Sequence, residues 1–160
     1  MKFIYSISLI ILGMSAHAQQ TNYHFSHSIA TTASLERIWK VWTDVPNWKA
    51  WDSGLKEARL VGVFKDGAKG KLLPDKGPGS KFVIEDVHEN GSYKLKTKIP
   101  FGWLIVSRYM KNEDGMVTFT HDVKFTGMLR KLLGNKIGKR YREMLPSVME
   151  NIKLIAEAEY

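Results

Sequence analysis

The chain has 160 residues, no cysteine, five tryptophans and a formal net charge of +8. This length supports one well-buried core, and the missing thiols exclude disulfides and lipid attachment through cysteine. The basic excess permits attraction to anionic surfaces but prescribes no partner.

Lys2 supplies a short positive start, Phe3 to Met14 are apolar, and Ala16-His17-Ala18 sets small residues before Gln19. This is the pattern of a signal peptide over residues 1–18, cleaved after Ala18, and it predicts a secreted or periplasmic protein. The alternative is an N-terminal membrane anchor, but the apolar run is shorter than the ~20 residues a spanning helix needs. One domain is expected over residues 19–160, without internal repeats or linkers.

His24 to Thr31 alternates, with Phe25, His27 and Ile29 on one face, and reads as a strand. Thr32 or Ser34 can cap a short helix over Leu35 to Thr43 that turns Ile38, Val41 and Trp42 inward. Asp44-Val45-Pro46-Asn47 breaks it, and Trp48 to Asp52 reads as another helical turn. Strands follow over Leu55–Phe64, Gly70–Pro74, Lys81–Val87, Tyr93–Ile99, Trp103–Lys111 and Met116–Phe125. Gly-containing turns separate most of them. In the last, Val117, Phe119, His121, Val123 and Phe125 alternate with polar residues. Leu133, Ile137, Tyr141, Met144, Val148, Ile152 and Ile155 then recur at helical spacing as one apolar stripe. Gly134 and Gly138 each weaken that helix by about 1 kcal/mol relative to Ala, and Pro146 interrupts its hydrogen bonding. A run of antiparallel strands with one apolar face needs a cover, and only the last helix is long enough to supply it.

The order of elements resembles the START-like helix-grip fold. Within it the chain is similar to the SRPBCC group, the polyketide cyclase/dehydrase and lipid-transport superfamily with a Bet v 1-like fold. The residues that carry the likeness are Ile29-Ala30-Thr31 leading to Ile38-Trp39, and Trp42-Thr43-Asp44-Val45 followed by Trp48 and Trp51-Asp52. Further along they are Leu60-Val61-Gly62-Val63-Phe64 with Gly67 and Gly70, Thr118-Phe119-Thr120-His121, Phe125-Thr126-Gly127, and Leu145-Pro146. The likeness implies an α+β domain. Its seven-stranded curved antiparallel sheet would wrap around a long C-terminal helix, with two short helices after the first strand. It also implies a cavity between sheet and helix. No cyclase-type catalytic set matches, and fold does not settle activity.

His121 lies on an apolar strand face, suited to acid/base work or ligand hydrogen bonding, or else to core packing with a neighbour satisfying it. His27 and His121 would be neighbours if the first and last strands pair, but no third ligand at diagnostic spacing suggests a metal site. Of Glu85 and Asp86, adjacent in one strand, only one can face inward, where it would approach His121 as an acid–base partner; the alternative is a solvated strand charge. Arg108, between Val106 and Met110, reads either as an anchor for an anionic head group or as a member of an exposed ion pair. Trp48, Trp51, Trp103, Tyr109, Phe119, Tyr141 and Met144 are candidate pocket walls or plain core.

Six basic residues between Met128 and Arg142 suggest a solvated helix face or weak contact with an anionic membrane surface. No nucleic-acid, phosphate-loop, zinc-protease, nucleophile-elbow or calcium-loop motif occurs, so no cofactor, metal or nucleic acid is expected, and a monomer is the default. The reading favoured is an exported binder of a hydrophobic small molecule: a lipid, isoprenoid, aromatic or polyketide-like compound. The alternatives are a cyclase- or dehydratase-like enzyme using His121, or a membrane-associated lipid-transfer protein.

Overall fold

The structure, a computed structural model, describes residues 20–158. The expected signal peptide lies outside them. Strand β1 (His24–Thr31) leads to helix α1 (Leu35–Thr43). The Ser34 side chain accepts the Arg37 N–H at 3.4 Å, the N-cap the sequence offered, and Ile38, Val41 and Trp42 are buried. A 3₁₀ helix (Val45–Ala50) begins earlier than the turn expected at Trp48, because Pro46 sits in its first turn, where a missing N–H costs nothing.

Strands β2 (Leu55–Leu60), β3 (Lys69–Pro74), β4 (Ser80–His88), β5 (Ser92–Ile99), β6 (Gly102–Glu113) and β7 (Met116–Phe125) complete the sheet. Its order is β1-β7-β6-β5-β4-β3-β2, antiparallel throughout. β2 ends four residues before the expected Phe64. Gly62 takes a positive φ of 79°, which no strand continues, and Val61 and Val63 become exposed.

The terminal segment is continuous: α2 (Arg130–Leu133), a π-helical turn (Gly134–Gly138) and α3 (Lys139–Ala158). The wider π turn rotates the face that follows it. The buried stripe therefore runs through Leu145, Val148, Met149, Ile152 and Ala156, while Ile137 is half-exposed. The two glycines have a packing reason: here the helix lies directly on the N-terminal segment. A Cβ at Gly138 would stand 2.0 Å from the Asn22 carbonyl oxygen, and one at Gly134 2.7 Å from the Tyr23 Cβ. Pro146 falls on an exposed position of α3, where the carbonyl it leaves unbonded can reach water. The far end of α3 is tied to the β1–α1 corner: Glu157 accepts hydrogen bonds from the Thr31 hydroxyl at 2.7 Å and the Thr32 N–H at 3.1 Å.

The core between sheet and helix is dominated by aromatic rings, among them Phe25, Trp42, Trp48, Trp51, Tyr93, Phe119 and Phe125. The Trp42 carbonyl, left without an intrahelical partner at the end of α1, accepts the Trp48 indole N–H at 2.9 Å and the Tyr93 hydroxyl at 3.3 Å. This links α1, the 3₁₀ helix and β5, and fixes the rings around Arg108.

Candidate functional site

A cavity of about 220 Å³ lies between the concave sheet face and the terminal helix. It is modest beside the ~300–1,000 Å³ usual for ligand clefts, so it suits a slender occupant. Trp48, Leu55, Leu95, Leu104, Val106 and Met144 give it apolar walls; Asp52, Thr97, Arg108 and Tyr141 give it polar points. Asp75 and Arg140, paired at 2.9 Å and partly exposed, join the β3–β4 turn to α3 at its rim. A larger groove of about 490 Å³ lies on the outer sheet face, among Glu57, Arg59, Lys71 and Lys81. Its charged, solvated walls lack buried polar groups, and the inner cavity is the better candidate.

Strand parity decides which residues reach the interior. On β6 the inward set is Leu104, Val106, Arg108 and Met110, and on β5 it is Tyr93, Leu95 and Thr97. Trp103 and Tyr109 have the opposite parity and face outward, and Lys96 stacks over the Trp103 ring at 4.9 Å. These two expected pocket walls are therefore not part of the site. Of the other candidates, Trp48, Arg108, Tyr141 and Met144 line the cavity. Trp51 sits behind Arg108, and Phe119 is packed in the core.

Arg108 is only 4% exposed, which overturns the exposed ion-pair reading. Its Nη1 donates to the Tyr93 hydroxyl. Its guanidinium lies over Trp48 at 4.9 Å, Trp51 at 5.0 Å and Tyr93 at 5.4 Å from the ring centres. Such cation–π contacts favour the buried charge, but they offer no counter-ion. Among the described residues it forms no ion pair, and its Nε has no hydrogen-bond partner.

Asp52 lines the same cavity with one oxygen held by the Gly54 N–H at 2.9 Å. Burial pushes its pKa up, Arg108 opposes this, and Asp75 adds to it. Burial, and then Asp52, push the Tyr141 hydroxyl upward as well, so it stays protonated.

His121 is fully buried and does not line the cavity. Trp42, Trp51 and Phe119 surround its ring, at centroid distances of 5.6, 6.4 and 6.5 Å. Neither imidazole nitrogen has a partner. The catalytic role considered for His121 thus meets a geometric obstacle: a substrate in the cavity would face Arg108 and Trp48 instead. His27 is its direct cross-strand partner, and among the described residues no group of three His, Asp or Glu side chains gathers as a metal site. Neither Glu85 nor Asp86 approaches His121. Asp86 takes a positive φ of 54° in a bulge of β4, and both carboxylates pair outward, with Lys96 and Lys94.

The reading of the sequence missed Thr97 and Asp52. Thr97 had a signal, since it shares the inward parity of Tyr93 and Leu95. Asp52 sits in a loop with no period to follow.

No protein-family model and no curated protein matches the chain. Solved structures do. A Mesorhizobium loti protein, MLL2253, superposes with TM-score 0.69 at 9% identity, over 86% of this chain and 99% of that one. Ara h 8.0201 does so with TM-score 0.67 at 12% identity, over 85% and 98%. The di-domain ARO/CYC StfQ from the steffimycin biosynthetic pathway gives 0.66 at 10% identity, over 84% of this chain and 50% of that one. At such identities the likeness is one of fold, a Bet v 1-like helix-grip fold.

Proposed function

We propose that this helix-grip domain is an exported carrier that holds a hydrophobic small molecule between its sheet and α3. One observation carries the reading: an apolar cavity under the terminal helix keeps buried polar groups, Arg108 and Thr97, aimed into it. A cavity of this make-up binds through its walls and orients through its few polar points. The neighbour StfQ, named for an ARO/CYC activity, supports small-molecule chemistry on this fold. An enzyme reading would have to draw on Asp52, Tyr141 and Arg108, because His121 lies outside the cavity. Export rests on the leader pattern that ends at Ala18. Native mass spectrometry of the protein with decanol or decanoate tests the carrier reading. A one-to-one complex that Leu95→Trp abolishes, with the fold kept by circular dichroism, supports it; wild-type protein that takes up neither decanol nor decanoate contradicts it.

A second reading, contact with an anionic bilayer, has its own observation. Phe101 is 76% exposed and Met128 84%, in two turns that abut: a Cβ at Gly127 would stand 1.8 Å from the Phe101 carbonyl oxygen. Beside them Arg130, Lys131, Lys136 and Lys139 are exposed, with no acidic residue between Leu129 and Arg142. Apolar tips next to a cationic helical stretch match a negatively charged bilayer surface. Sedimentation with phosphatidylglycerol vesicles should fall with salt and with Phe101→Ser plus Met128→Ser; equal binding to phosphatidylcholine vesicles contradicts this reading.

A further inference from the structure

We infer that the ligand of this cavity is an apolar monoanion whose acidic group seats on Arg108, and that Thr97 takes a hydroxyl or carbonyl at its other end; this rests on the carrier reading above. Two side chains lead to it independently. Arg108 is 4% exposed, has a free Nε and has no carboxylate in ion-pair contact among the described residues. Thr97 is 5% exposed and its hydroxyl has no partner. Both line the same cavity. Leaving a buried donor unmade is costly, and more so for a charged group, so a site with two of them is built for something that completes them.

The chemistry of each end follows from what it can do. A guanidinium only donates, and it is permanently cationic. The partner that satisfies it best is an anionic oxygen pair, a carboxylate or an enolate beside a carbonyl. Tyr93 already holds Nη1 and hands its own proton to the Trp42 carbonyl, so the fork is fixed before a ligand arrives. Asp52 does not fill this role: it forms no ion pair with Arg108, and one of its oxygens is bound to the Gly54 N–H. Thr97 both donates and accepts, so it suits a hydroxyl or carbonyl.

The spacing sets the length. Tyr93 is the cross-strand partner of Arg108, and Leu104 that of Thr97. The backbone positions of the two ends are therefore four residues apart along β5, roughly 13 Å at ~3.3 Å per residue. Leu95 and Val106 lie between them, with Leu104 beside Thr97, so the middle of the ligand is apolar. A chain of about ten carbons spans this distance.

Isothermal titration calorimetry with decanoate, 10-hydroxydecanoate, decanol and decylamine at neutral pH tests the inference. Wild-type protein should bind decanoate at least about tenfold more tightly than decanol, and decylamine most weakly. Arg108→Met should erase the preference for decanoate while still binding decanol, and Arg108→Lys should restore part of it. Thr97→Val should weaken 10-hydroxydecanoate severalfold and leave decanoate unchanged. Equal binding of decanoate and decanol by the wild type would overturn the inference while leaving the carrier reading intact. The wild-type comparison decides this even if Arg108→Met does not fold. Failure of all four probes to bind would overturn both.

Discussion

Arg108 and His121 stand directly opposite each other on β6 and β7, both buried, and neither imidazole nitrogen is hydrogen-bonded. Burial first, then the guanidinium, and then His27 hold His121 well below the ordinary histidine range. The folded protein therefore keeps a neutral ring next to a permanent cation.

A pH dependence follows, and its sign is fixed. The unfolded chain protonates this histidine near pH ~6.5, whereas the folded one does not until much lower. Between the two the unfolded state binds more protons, so stability is complete above ~6.5 and is lost as pH falls, by up to ~1.4 kcal/mol per unit. Asp75 and Glu157, lowered chiefly by hydrogen bonds from Arg140 and Thr31, lose their contributions only in the more acidic carboxylate range. Asp52, raised by burial, acts the other way and loses its contribution as pH rises through its folded pKa. Thermal melts of wild type and His121→Leu from pH 7 to 5 separate these effects: the wild-type Tm should drop more steeply. Parallel curves would show that His121 is not the linked group.

Gly138→Ala should destabilise the protein, although the same exchange in an open helix gains about 1 kcal/mol. Its new methyl would meet the Asn22 carbonyl oxygen at 2.0 Å and Phe125 at 2.9 Å. Circular dichroism melts should give a Tm several degrees lower. A higher Tm would mean that the helix does not lie on the N-terminal segment.

The Asp75–Arg140 pair is partly exposed and screened by solvent, so it adds little to stability. Its position at the rim points to ligand exchange instead. Arg140→Gln should leave the Tm nearly unchanged and raise both the entry and release rates of decanoate in stopped-flow tryptophan fluorescence. Rates equal to wild type would remove the pair from the entry path.

How much of this the sequence discloses depends on how local the cause is. The strand pattern of β7 and the cap and inward face of α1 were legible residue by residue, because alternation and a Ser34 cap are local signals. The end of β2 and the outward turn of Asp86 were not, since both depend on single residues with positive φ. The apolar stripe of the last helix shifted because a π turn breaks the period that the reading assumed. In the site, Arg108 stood among apolar residues of its strand, but its lack of a counter-ion is a fact of three dimensions. Thr97 shares the inward parity of Tyr93 and Leu95, but alternation alone does not mark it as a polar point of a cavity.

The central claim is that the space beneath α3, and not the wider groove outside, takes an apolar molecule. Methyl NMR spectra recorded while decanoate is added test it most directly. The account predicts shifts and intermolecular Overhauser effects at Leu95, Leu104, Val106 and Met144, with Leu73 unmoved. Changes confined to Leu73 on the outer face, or no saturable change at all, would contradict it.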